Sequence, residues 1–217
     1  MPKNETRNLT QTEAGYGFNS KHAALANYTK NASGNAVTDL TVDLAGHKLT
    51  LGMTSGTRNV ATVYAGTSAS STNRSKLTIK DTQGTGELVL HAETTVNKPT
   101  NAIRAENADL DIQAPVRITK VATSYVAQAI WAGKNSSITM KKLTLSQVDG
   151  PGNTTDSHKN VYGIGLNGKG STITVKEDAD ISGVKGIALY SMSGADNHSK
   201  LSVGGGRIIT PEESTNK

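Results

Sequence analysis

Ile103-Arg-Ala-Glu-Asn-Ala-Asp-Leu-Asp-Ile-Gln-Ala-Pro-Val-Arg-Ile118 is the stretch that decides the fold. It opens with a short apolar strand, passes through a turn, and shows an alternating pair, Leu110/Ile112. A third short strand follows at Val116/Ile118. Three further stretches lie over it, opening at Ile130-Trp-Ala, Ile164-Gly-Leu and Ile187-Ala-Leu. Their second pairs are Ile138/Met140, Ile173/Val175 and Leu201/Val203, and their third strands are Leu143/Leu145, Ala179/Ile181 and Ile208. Two earlier copies fit less completely, at Val63, Leu77/Ile79 and Leu88/Leu90, and at Leu40/Val42 and Leu49/Leu51. Three short strands per repeat, stacked about six deep, predict an all-β right-handed parallel β-helix, a solenoid.

Period two drives this reading. In Leu110-Asp-Ile112 and Ile138-Thr-Met140 the apolar side chains share one face, with Asp111 and Thr139 on the other. The links between the second and third strands are too short for a crossover helix, so parallel pairing requires whole coils to stack. The first-strand markers recur unevenly, which suits a right-handed β-helix whose turns accept insertions. Insertions are expected at Thr67–Arg74, His91–Asn101, Ser146–Asn160 and Gly194–Ser199, and binding commonly sits on such loops.

Composition agrees. Aromatic residues make up 4% of the chain, few for a globular enzyme but enough for a narrow tube of Val, Ile, Leu and Ala. Cys is absent, which excludes disulfide staples and thiolate metal sites and fits a chain exported unfolded. No apolar run reaches the roughly 18 residues of a membrane span, so direct membrane insertion of this segment is not expected. The net charge of +5 is scattered rather than blocked, which argues against nucleic acid as a partner. Residues 1–36 read as an N-terminal cap or irregular lead-in, with a short helix or irregular strand over Thr12–Lys30. Residues 37–210 form the β-helix and residues 211–217 a polar tail. A signal sequence is expected to have been removed, and the natural chain to continue beyond Lys217.

Runs such as Leu40-Thr-Val-Asp-Leu-Ala-Gly-His-Lys-Leu-Thr-Leu51 and Ser171-Thr-Ile-Thr-Val-Lys-Glu-Asp-Ala-Asp-Ile181 resemble passenger domains of bacterial type V autotransporters. The run from Leu77 to Leu88 does so too. The resemblance covers about residues 37–210 and rests on a style of repeat rather than on invariant motifs. It implies a surface-exposed right-handed β-helix, extracellular and on the bacterial cell surface, that acts in adhesion. Its partner would be a glycan or protein on a cell or matrix surface, and self-association of a stalk is a further alternative.

No catalytic constellation emerges, so an enzyme is not expected. A polysaccharide-degrading β-helix, lyase or hydrolase, would need acids converging on adjacent coils. Asp109 and Asp111 instead meet Ser137 and Thr139, then Thr172 and Thr174. Those neighbours cannot assemble a hard-cation site. His22, His47, His91, His158 and His198 lack metal-ligand spacing, and neither a metal nor a cofactor is expected. One arrangement stands out. If Val63, Ile103 and Ile130 face inwards, Tyr64, Arg104 and Trp131 face out and stack on successive coils, with Tyr190 further along its own coil. A guanidinium between aromatic faces supports cation–π contacts, and the row offers a flat, partly apolar strip to a ligand. Asn107, Asn135 and Asn167 are expected to form a hydrogen-bonded ladder at one corner. Sequons stand at Asn4, Asn8, Asn27, Asn31, Asn73, Asn135, Asn153 and Asn197.

Overall fold

The computed structural model describes residues 5–8, 13–15, 23–29, 39–54, 60–67, 74–95, 98–150, 161–191 and 199–207. Among them there is no helix, and every strand pairing is parallel. The strands recur in threes. β1 (Glu5–Asn8), β2 (Glu13–Gly15) and β3 (Ala23–Thr29) pair with β4 (Asp39–Asp43), β5 (Lys48–Met53) and β6 (Val60–Thr67). Those pair in turn with β7 (Ser75–Lys80), β8 (Glu87–Thr94) and β9 (Thr100–Glu106).

β10 (Ala108–Thr123) is long enough to run beside β7 and then beside β8. β11 (Ala127–Ala132) pairs with β9, and β12 (Ser137–Leu145) and β13 (Val148–Asp149) pair with β10. β14 (Val161–Leu166) follows β11, and β15 (Thr172–Asp180) follows β12. β16 (Ile187–Ser191) closes the second series beside β14, and β17 (Lys200–Arg207) closes the first beside β15. The result is an eleven-stranded and a six-stranded parallel sheet, in the manner of a β-helix or related solenoid.

The registers follow the alternation in the sequence. Leu40, Leu77, Leu110, Ile138, Ile173 and Leu201 align as one column, and Val42, Ile79, Ile112, Met140, Val175 and Val203 as another. Val63, Ile103, Ile130 and Ile164 form a column in the six-stranded sheet. These columns meet in a single apolar core, apart from Val203 on the last strand, which is exposed. The long strands turn where register shifts, between Ile112 and Pro115 in β10 and at matching levels of β12 and β15. Pro115 brings no N–H to that bend, so the break in the ladder leaves no donor stranded.

Several expectations change. Within the stretch Thr12–Lys30, expected to hold a short helix or irregular strand, the described residues form strands β2 and β3, and they extend the same parallel pairing. The insertion expected over His91–Asn101 is largely strand, since β8 reaches Thr94 and β9 begins at Thr100. That extension adds a column of Met53, Ala92, Val121, Val148 and Val184, all buried. In register the column continues to Leu189, which pairs with Ile164 but is exposed on the last strand, while Ile187 pairs with Tyr162. Much of the other expected insertions, including residues 68–73, 151–160 and 194–198, lies outside the described residues, as do Ile208 and the polar tail.

The corner ladder forms in part. Asn135 Nδ2 donates to Asn107 Oδ1 (2.7 Å), and Asn107 Nδ2 donates to Thr67 Oγ1 (2.7 Å). Both asparagines hold left-handed backbone, φ 48° and 54°, which Asn tolerates better than most residues. Asn167 is not the next rung. Its turn is longer than the one before, so Gly170, φ 73°, occupies that place beside Asn135.

Candidate functional site

The outer face of the six-stranded sheet carries a group of aromatic and charged side chains in mutual contact. Its register aligns Ala26, Tyr64, Arg104, Trp131, Gly165 and Tyr190 in one row. The four predicted residues therefore share a single line across neighbouring strands, and Tyr190 stands in register rather than displaced.

Strict alternation is not what builds this face. Ala102 and Ile103 both enter the core, as do Ala129 and Ile130. The first member of each inward pair is small. Two inward residues in succession leave the residues that flank them, three apart, on the same side: Asn101 with Arg104, Gln128 with Trp131, and Tyr162 with Gly165. A second outer row, Asn101, Gln128, Tyr162 and Ile187, thus lies beside the first. Alternation alone would have turned these residues inwards, so the sequence reading missed them. The repeated small–large pair is the signal that could have found them.

Polar contacts tie the two rows together. The Arg104 guanidinium bonds Glu106 Oε1, and its Nη1 donates to Asn101 Oδ1 (3.4 Å). Glu106 Oε2 accepts from the Tyr64 hydroxyl (3.0 Å). Asn101 Nδ2 donates to the Gln128 side-chain oxygen (3.0 Å) and main-chain oxygen (3.1 Å). Arg104 is thus held by a carboxylate and an amide, in place of the expected aromatic sandwich. The aromatic contacts lie on the other side of the row. Tyr190 stacks on Tyr162 with ring centroids 4.3 Å apart, and on Trp131 at 6.5 Å.

The expected flat, open strip is corrected by burial. Trp131 is only 7% exposed and Tyr162 5%. The indole lies over Gly165, where an added Cβ would fall 2.2 Å from the ring. The missing side chain of Gly165 lets the indole lie flat towards Tyr190. Tyr190 stays half-buried, and Ile187 beside it is 50% exposed. Chemically, this face pairs an aromatic edge at Tyr190 with a satisfied polar network around Arg104 and Glu106.

Elsewhere, charges serve stacking. Asp109 and Asp111 meet Ser137 and Thr139 as the sequence predicts, and Asp109 is paired with Arg74. Arg117 donates twice to Glu87 (2.8 and 2.9 Å) and holds its carboxyl below the usual range, against burial and with help from Lys48. Burial raises the Asp43 carboxyl, but the N–H groups of Ala45 and Thr82, the Thr82 hydroxyl and Lys80 outweigh it, so its pKa is lowered. No group of three or more His, Cys, Asp or Glu placed to hold a metal occurs among the described residues. His47 and His91 lie on separate strands or turns, and His22, His158 and His198 fall outside those residues. Among the sequons, Asn27 is buried with its amide on the Lys76 carbonyl (2.7 Å), and the Asn135 amide belongs to the corner ladder. Neither amide stands clear for a glycan.

No protein-family model matches this chain, and no curated protein or solved structure matches it.

Proposed function

We propose that the chain is a right-handed parallel β-helix of about six coils that serves as a non-enzymatic adhesion module, a passenger segment of an autotransporter displayed on a bacterial surface. The three-strand period of parallel pairing supports the closed solenoid, because links of a few residues leave stacking as the simplest path between equivalent strands. The observation that carries the functional reading is the in-register row of Tyr64, Arg104, Trp131 and Tyr190 on one outer face. A buried indole supports rather than touches a ligand. Contact then falls to Tyr190 and the rim of the Arg104–Glu106 network, which suits a glycan or a protein surface offering an apolar face beside hydrogen-bonding groups. The step from fold to adhesion rests on the family resemblance.

A glycan-array and cell-binding screen of the full chain beside Tyr190→Ala tests this reading. Binding by the native chain that falls at least tenfold in the folded variant is the expected result. Equal binding by both overturns the assignment to this face, and binding by neither overturns the adhesion reading.

A further inference from the structure

We infer that Asn167 is a site of spontaneous covalent modification, deamidation through a cyclic imide, and that the fold protects Asn27, Asn101, Asn107 and Asn135 from it. Asn167-Gly168 is the single Asn-Gly step in the chain. In this reaction the main-chain nitrogen of the following residue attacks the side-chain carbonyl carbon. A C–N bond forms, the amide C–N bond breaks, and ammonia leaves. Water then opens the imide at either carbonyl, giving aspartate or isoaspartate. A following glycine offers the attacking nitrogen with no side chain in the way.

The structure sets Asn167 apart from its neighbours. Asn27, Asn101, Asn107 and Asn135 each donate a side-chain N–H to a fixed acceptor, at 2.7 to 3.1 Å. Asn101 and Asn107 are also buried. Asn167 is half-exposed, and among the described residues its carboxamide has no hydrogen-bond partner. Its main-chain N–H is fixed on the Ala132 carbonyl (2.8 Å), so the backbone before the reacting bond is anchored while the side chain is free. Exclusion from the corner ladder causes this freedom. The longer turn puts Gly170 in the rung that would have bound the amide.

Asp149-Gly150 is the acid counterpart of the same step, and it is restrained. Lys185 Nζ tethers the Asp149 carboxylate at 2.8 Å, which fixes the side chain that would have to swing onto the Gly150 nitrogen. Deamidation at Asn167 would place a new carboxylate beside Lys169, and close to Lys134, against whose backbone Gly168 packs. The isoaspartyl product would also lengthen the turn between β14 and β15 by one backbone carbon. The turn stands outside the apolar core, so the aged protein should stay folded while losing positive charge at that corner.

The test is timed incubation of the folded chain at physiological temperature and mildly alkaline pH, followed by peptide mapping by mass spectrometry. The expected result is amide-to-acid conversion in the peptide containing Asn167, at least tenfold faster than at Asn101, Asn107 or Asn135, with both aspartyl and isoaspartyl products. The rate should rise with pH, because the attacking nitrogen must lose its proton. Asn167→Gln, which keeps the turn glycine, should abolish the fast product and its isoaspartyl methylation by an isoaspartyl methyltransferase. Conversion at Asn167 no faster than at the ladder asparagines overturns the inference. So does conversion at all four sites at one common rate in the folded chain.

Discussion

At the scale of single residues, Trp131 and Gly165 act as one unit. The indole needs the space that glycine leaves, and its ring faces Tyr190 across that space. Gly165→Ala should push the indole off Tyr190 at a cost of about 1–3 kcal/mol, an overpacking effect. Tryptophan fluorescence and near-ultraviolet circular dichroism would report the displacement, and unchanged spectra would refute it. Trp131→Ala should cost about 2–3 kcal/mol, as loss of a buried ring, in a urea melt. That departs from the small effect expected of an outward residue in an alternating strand. Ile130→Asp should abolish cooperative folding, because it puts an unpaired carboxylate in the apolar core. The column of Ile103, Ile130 and Ile164 was legible from alternation. The burial of Trp131 was not, since it arises from a glycine on one neighbouring strand and a tyrosine on the next.

At the scale of elements, period two marked the paired columns of β7, β10, β12 and β15 correctly, down to Asp109 facing Ser137 and Asp111 facing Thr139. It failed where two residues in succession face inwards. The inward pairs Ala102/Ile103 and Ala129/Ile130 shift the outer face by one residue, and so Asn101, Gln128 and Tyr162 join the site. Turn length was equally hidden. Asn107 and Asn135 stack, but Asn167 drops out because its turn is longer. Ion pairs between neighbouring strands are a second feature at this scale. Arg207 and Ser182 hold the Asp180 carboxyl at about 2, against the opposing effect of burial. A pKa lowered on folding adds stability above the unfolded value, about 3.9, and that stability is lost as pH falls towards 2. Arg207→Gln should therefore lower the urea midpoint at neutral pH. The gap should close as pH drops from about 4 to about 2, and added salt should narrow it, since Arg207 is exposed. A gap that widens in acid would contradict this.

At the scale of the whole molecule, the recurring triplet of strands explains how a chain with few aromatic residues and no cysteine builds a continuous core. Each layer buries a few aliphatic side chains against the next, and backbone hydrogen bonds run from strand to equivalent strand. Stability in such an array is a sum over neighbouring layers, so a lesion such as Ile130→Asp should damage the middle of the stack rather than one end. Sequence periodicity made the layering legible. It could not locate strands before residue 37, where apolar pairs are sparse, although β2 and β3 prolong both sheets. The most direct test of the layered stack is distance measurement between spin labels on one outer column, Thr41, Thr78, Thr139, Thr174 and Ser202, taken in pairs. Stacked parallel strands predict separations that grow in a straight line, by about 4.8 Å for each strand crossed. Separations that level off or scatter as more strands intervene would contradict the account.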